Sequence, residues 1–162
     1  MSSVLHDHCY KEEWGKAVAL TASSDKTNLE GLLRYKDSNG DTALHQACFR
    51  EVSHSTLSSL FNNTLSKGID LKQILSITNN FGQLVLHWAA RFCSVDVVKL
   101  VQEHSTPSSL TTKTNSGNTP LDWARKNNKT DNVKFLESVS NVMWDTDQQL
   151  IFTVTYYYCR FI

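Results

Sequence analysis

No run of this chain approaches the roughly 20 consecutive apolar residues that a membrane-spanning helix needs, and its start, MSSVLHDHCYKEEW, holds no apolar stretch of signal-peptide length. Charge of one sign is missing too. Sixteen basic residues balance sixteen acidic ones, so no net field draws the chain to nucleic acid, an anionic membrane or a strongly charged substrate. Cysteine is sparse and scattered, at positions 9, 48, 93 and 159 without a C-x-x-C pair. That excludes a disulfide-stapled scaffold and predicts a reducing setting, the cytoplasm or alternatively the nucleus. The N-x-T sequons at Asn62 and Asn128 are then chance matches. There is also no G-x-S-x-G, H-E-x-x-H or phosphate-loop signature, so no catalytic constellation is visible.

What is present is a chain of 162 residues, 40% hydrophobic and 20% charged, enough for one domain with a real core. Three stretches align with one another: DSNGDTALHQAC from Asp37, NNFGQLVLHWAA from Asn79 and TNSGNTPLDWAR from Thr114. Their glycines, Gly40, Gly82 and Gly117, stand 42 and 35 residues apart, a period that signals stacked repeats. Each part of the pattern has a physical task. The glycine permits a positive φ in a tight turn. Thr119 and Pro120 then start a helix as N-cap and first helical residue. Leu44 with Ala47, Leu86 with Ala89 and Ala90, and Leu121 with Ala124 share one helical face, and the small alanines let neighbouring helices approach. A second apolar stripe follows each time: Leu57, Leu60 and Phe61; Val97, Val98, Leu100 and Val101; Val133, Phe135 and Leu136. Each unit reads as turn, short helix, turn, second helix.

These residues resemble the ankyrin repeat, whose T-P-L-H-x-A-A core is similar to TALHQAC at Thr42, LVLHWAA at Leu84 and TPLDWAR at Thr119. The resemblance implies an all-α fold, an ankyrin-repeat α-solenoid of about four stacked helix pairs with turn fingers. It divides the chain into a flexible N-terminus (1–11), an N-terminal helix pair (12–36), a repeat with an insertion (37–78), two further repeats (79–113 and 114–143) and a non-repeat tail (144–162). Three departures matter. Leu84-Val85 replaces Thr-Pro, a deficit of roughly 1 kcal/mol in capping unless packing offsets it. Asp122 stands where a histidine is expected. Cys93 and Asn128 stand where a glycine usually ends the first helix, and asparagine tolerates the left-handed region better than cysteine does.

The resemblance implies that His45 and His87 hold turns in register through hydrogen bonds, rather than serving as catalytic bases. Trp88, Trp123 and Cys48 read as packing residues, and the β-prone tail LIFTVTYYYCRFI as poorly ordered or loosely docked. No cofactor and no metal is expected. The rival to that last expectation is the cluster His6, Asp7, His8 and Cys9, which holds metal-capable ligands but lacks a second cluster to complete a site. The implied function is a non-enzymatic scaffold or adaptor that binds a partner protein, with no nucleic acid or membrane partner. The alternatives are a regulatory or targeting subunit of an enzyme on another chain and, third, a metal-binding protein. Partner contacts are expected on the fingers and the ends of the first helices: Phe49, Arg50, Phe81, Gln83, Arg91, Phe92, Asn118 and Lys126. Phe49-Arg50 and Arg91-Phe92 pair rings with guanidinium groups, which interface hot spots favour.

Overall fold

The computed structural model describes residues 3–141; the expected tail, with Val142, Met143 and Trp144 before it, lies outside them. The described chain is helical, with no strand among these residues. The helices are α1 (Val4–Tyr10), α2 (Trp14–Ser23), α3 (Lys26–Arg34), α4 (Ala43–Phe49), α5 (His54–Ser66), α6 (Leu71–Leu75), α7 (Val85–Phe92), α8 (Val95–Glu103) and α9 (Pro120–Lys126), followed by α10 over 130–141. A short 3₁₀ turn, Pro107–Leu110, precedes the last finger. Local chemistry sets several of the starts. Asp25, Ser53, Asp70 and Thr119 each accept a backbone N–H of the helix they precede, filling a donor that the first turn leaves unpaired.

Four pairs stack side by side: α1 with α2, α4 with α5, α7 with α8, α9 with α10. The first helices form an inner layer in which α1 packs on α4, α4 on α7 and α7 on α9, while α2, α5 and α8 form an outer layer. The inner layer is close because of what stands at each register position. Ala47, Ala89 and Ala124 lie five residues after their N-caps and are fully buried, and Cys48 and Ala90, one residue on, are buried as well. Arg125 occupies that place on α9, where the described chain stacks no further inner helix, and is exposed. The outer helices supply Leu57, Leu60, Phe61, Val97, Val98, Val101 and Leu136 to the same core.

One expectation needs correction. Residues 4–10 are not a flexible start: they form α1, with Leu5 and Cys9 buried against α4. The N-terminal pair is therefore α1 with α2, and α3 is an additional helix before the first finger. Two later units also carry a short helical segment there, α6 and the 3₁₀ turn. Cys93, for its part, avoids the left-handed region, with φ −84° and ψ 172°. Asn128 does enter it at φ 55°, as do Glu12 at 59° and Glu51 at 53° at the same point of their units. The missing cap of α7 leaves no loose start. Leu84 holds the extended dihedrals of an N-cap (φ −87°, ψ 161°), and Leu84 and Val85 are buried, so apolar packing takes the place of the hydroxyl.

The fingers form a ladder along one edge. Asp37 Oδ1 accepts the amides of Asn39 and Asp41 at 2.8 and 2.9 Å, Asn79 Oδ1 accepts those of Phe81 and Gln83 at 3.0 Å each, and Thr114 Oγ1 accepts that of Asn118 at 3.2 Å. Successive fingers are joined by the Asn80 amide to the Asn39 carbonyl and the Asn115 amide to the Phe81 carbonyl, each 2.9 Å. The turn glycines meet two demands. All three hold positive φ, 79°, 72° and 80°, and a Cβ on Gly40 or Gly82 would also lie 2.6 Å from the asparagine Oδ1 of the next finger. A Cβ on Gly117 would meet nothing among the described residues. Gly117→Ala should therefore lower stability only by the backbone strain of a left-handed alanine, about 1 kcal/mol. Gly82→Ala should cost at least about twice that by adding overpacking. Denaturant titration of the two variants checks the order, and equal losses would contradict the close approach of the fingers.

Histidines lock each finger to the unit before it. His45 Nε2 faces the Gln83 carbonyl at 3.0 Å and so carries the proton, leaving Nδ1 to accept the Thr42 amide at 3.2 Å. His87 repeats this, with Nε2 on the Asn118 carbonyl at 3.2 Å and Nδ1 accepting the Leu84 amide at 3.1 Å. Asp122 performs the local half alone: Oδ2 accepts the Thr119 amide at 2.9 Å while Thr119 Oγ1 accepts the Asp122 amide at 3.2 Å, a reciprocal capping box. Burial holds His45 down from 6.5 to about 4, and lowers His87 in the same direction. The unfolded chain protonates its histidines near 6.5, whereas the folded His45 resists until about 4. Stability should therefore be full above pH 7 and fall between about 6.5 and 4, by up to about 1.4 kcal/mol per pH unit for each such histidine. Melting curves of the wild type and His45→Gln across that window check this. The variant should melt lower at pH 7, by about 1–3 kcal/mol, and lose less on acidification.

Candidate functional site

The inner helices end in a row of rings and guanidinium groups that crosses all four units. Tyr10, Phe49, Arg91 and Lys126 each stand seven residues after an N-cap (Ser3, Thr42, Leu84 and Thr119), so helix geometry brings them to the same end of the stack. Arg50 and Phe92 follow one residue later. The Arg50 guanidinium carbon lies 4.4 Å from the centroid of the Tyr10 ring and 5.2 Å from that of Phe49. Phe49 meets Phe92 edge to face at 5.3 Å and Trp88 at 5.5 Å. Arg91 covers Phe92 at 4.7 Å and Trp123 at 5.1 Å. The order along the stack is Tyr10, Arg50, Phe49, Phe92, Arg91, Trp123. Aromatic and cation exchange places between the second and third units, which sets two rings at the centre and a guanidinium on either side.

This row is partly open to solvent. Phe49 is 40% exposed and Tyr10 50%, whereas Arg50, Arg91, Phe92, Trp88 and Trp123 are half-buried. The two arginines are fixed by the rings, and Nε of each is buried without a hydrogen-bond acceptor. A guanidinium held flat against an aromatic face presents its remaining N–H groups as a rigid fork.

Other expected residues lie elsewhere or are already engaged. Phe81 is 53% exposed on the middle finger, and no ring contact joins it to the row among the described residues. The Gln83 side-chain oxygen is not left for a partner: it accepts Asn79 Nδ2 at 2.8 Å and Trp88 Nε1 at 2.9 Å. Asn118 Oδ1 accepts the Lys126 ammonium at 2.5 Å, so these two residues form one exposed polar pair beyond Trp123.

Three members of the row were missed in the sequence. Trp88 and Trp123, read as packing residues, are also rim residues, with one ring edge against His45 or His87 at 6.1 and 5.9 Å and another part facing the row. Tyr10 was hidden by reading the N-terminus as flexible. The signal for it was present: SVLHDHCYKEE at Ser3 aligns with TALHQACFREV at Thr42, matching Leu5 to Leu44, His6 to His45, Cys9 to Cys48, Tyr10 to Phe49 and Glu12 to Glu51.

The N-terminal cluster does not converge on a metal. His8 Nδ1 bonds Glu13 at 2.7 Å, His6 Nε2 stands 3.4 Å from Asp37 Oδ2, and Cys9 is buried in the core, where burial pushes its thiol up to about 12. Among the described residues no group of three His, Cys, Asp or Glu side chains is arranged to hold an ion, and no helix is long and apolar enough to cross a membrane.

Comparison with known proteins bears on the repeats. No curated protein matches the chain. Among solved structures it is similar to a chain in the crystal structure of the yeast ribosomal protein Rps3 in complex with its chaperone Yar1, with a TM-score of 0.68 and 19% identity over 83% of this chain and 89% of that one. At that identity the likeness is one of fold. The family model for ankyrin repeats (3 copies) matches residues 55–143, more than half of the chain, from α5 through the fingers of Gly82 and Gly117 and the His87 lock. The all-helical α-solenoid with four stacked pairs is thus that of an ankyrin-repeat protein, and the chain belongs to the ankyrin-repeat family.

Proposed function

We propose that this chain is a non-enzymatic adaptor that binds a partner protein across the ends of its inner helices, with the ring and guanidinium row as the centre of the contact and Phe81 on the finger at its margin. The row carries the reading. A stack that needed only to be stable would end its inner helices in small polar groups, whereas this one spans every unit with the side chains that dominate interface energetics. Both ring nitrogens of His45 and of His87 are spent on backbone partners, so neither histidine serves as a base. The fold neighbour comes from a complex of a chaperone with a ribosomal protein, one example of such a stack in protein recognition. The setting we propose is the cytoplasm, or the nucleus, in keeping with three buried unpaired thiols.

A second reading, a regulatory or targeting subunit of an enzyme on another chain, uses the same face and differs only in what is captured. Affinity capture with quantitative mass spectrometry separates the two: enrichment of one enzyme favours the regulatory subunit, and diverse clients an adaptor. The face itself is tested by Phe49→Ser and Phe81→Ser, with Leu65→Ser, 43% exposed on α5, as the outer-layer control. Phe92 is a poorer probe because its ring is half-buried where that of Phe49 is exposed. Phe49→Ser should weaken the captured partner by roughly 1.5–3 kcal/mol, with little change in melting temperature. Leu65→Ser should leave binding intact. Loss of the partner with Leu65→Ser and its retention by both phenylalanine variants would move the interface to the outer helices.

A further inference from the structure

The described arginines differ in one respect. Arg34 and Arg125 face Glu30 and Glu137 at 2.9 and 2.7 Å, and Arg50 lies 3.8 Å from Glu12. Arg91 is the described arginine for which the described residues supply neither a carboxylate nor a hydrogen-bond acceptor to Nε, and it lies against the rings of Phe92 and Trp123. The carboxylate on the neighbouring helix, Asp122, is committed to its capping box with Thr119. In a chain whose charges balance, an oriented, half-buried guanidinium without a counter-ion is a vacancy for an anion.

We propose that the partner reads this row through a short extended segment in which a carboxylate neighbours a large apolar side chain. The carboxylate seats on the Arg91 fork, and the apolar side chain lies against Phe49 and Phe92. This rests on the adaptor reading and names the chemistry of its partner. Charge complementarity carries the acidic half, because a planar guanidinium with open N–H groups takes a carboxylate in two parallel hydrogen bonds. The exposed edge of Phe49, packed on Phe92, carries the apolar half. A second carboxylate on the far side would exchange with Glu12 for Arg50, whose existing pair is long. Nucleic acid is the weaker match to the same residues. Stacking requires free ring faces, and guanidinium groups already cover Tyr10, Phe92 and Trp123.

The test uses three short fluorescent peptides with leucine at alternate positions and glutamate, glutamine or lysine between, titrated by anisotropy against the full chain, Arg91→Gln and Arg91→Lys. The glutamate peptide should bind wild type about tenfold or more tightly than the glutamine peptide, and added salt should narrow the gap. Arg91→Gln should abolish that preference. Arg91→Lys should restore part of it, since charge returns without the planar fork. Equal binding of the glutamate and glutamine peptides, or an unchanged preference in Arg91→Gln, would overturn the proposal. So would tight binding of an oligonucleotide that Arg91→Gln removes, or a concentration-dependent dimer that the same change dissolves. If the peptides fail while Phe49→Ser still releases the captured partner, the acidic segment is wrong and the adaptor face stands; if Phe49→Ser releases nothing, the adaptor face is wrong.

Discussion

The two central units of this stack are each completed by a hydrogen bond that belongs to the next. The Nε2–H of His45 ends on the carbonyl of Gln83, and that of His87 on the carbonyl of Asn118, while the other ring nitrogen caps the unit's own helix. One side chain thus couples the start of an inner helix to the base of the next finger, away from water. Where that neighbour is lacking, the residue changes: Asp122 caps its helix as the histidines do, but it has no further finger among the described residues to bind. The same logic governs the glycines, since Gly40 and Gly82 lie against the next asparagine and Gly117 does not. The first interface is coupled differently. His6 Nε2 makes no hydrogen bond to a finger carbonyl and instead stands 3.4 Å from the Asp37 carboxylate at the base of the first finger, while Leu5 and Cys9 are buried. Stability in such an array is a chain of nearest-neighbour terms, and here those terms are of unequal kind.

The candidate site follows from this register. Locking the third helical position of one unit to the next finger aligns the inner helices, and that fixes which side chains become neighbours four to five residues further along. Phe49 meets Phe92, and Arg91 meets Trp123, only because their helices start level. Exchange of ring and cation between Phe49-Arg50 and Arg91-Phe92 then places like against like at the centre and cations outside. Without the exchange, guanidinium and ring would alternate along the row, and the two phenylalanines would not meet as one apolar centre.

Most of the fold was legible from residue 37 onward, because each level of the pattern agreed: glycine for the turn, Thr-Pro for the helix start, leucine and alanine at helical spacing, and a second stripe. Legibility failed where the local chemistry was mixed. Asp7 and His8 stand where Gln46 and Ala47 complete the pattern in the next unit, so a true inner helix read as a polar, metal-like cluster. Cys93 fills a position that usually takes a positive φ, and there the loop into α8 makes the connection with extended backbone. At the site, Phe49 and Phe92 were recognisable as out of place, and their mutual packing followed from the repeat register. The engagement of Gln83 did not follow, because the Asn79 and Trp88 groups that occupy its side chain are brought to it by the turn of a finger rather than by sequence spacing.

Trp88 and Trp123 join the inter-unit hydrogen-bond network to the proposed binding row through different parts of the same rings. Each indole lays an edge on the histidine of the preceding unit, screening the inter-unit hydrogen bond from water, and Trp88 donates to the side chain of the very residue, Gln83, whose carbonyl receives that bond. The outer side of the same rings forms the floor of the row, under Phe49 in one case and Arg91 in the other. A packing residue therefore becomes a platform without giving up its structural task. The exposed members, Phe49 and Tyr10, can be shaped by what binds them, since the hydrogen-bond network lies behind the indoles. Arg91 gains only the modest attraction of two ring faces, about 0.5–1 kcal/mol each at a partly exposed site, less than a bidentate carboxylate would supply. An open guanidinium fork held between two aromatic faces is the feature of the row on which the proposed contact rests.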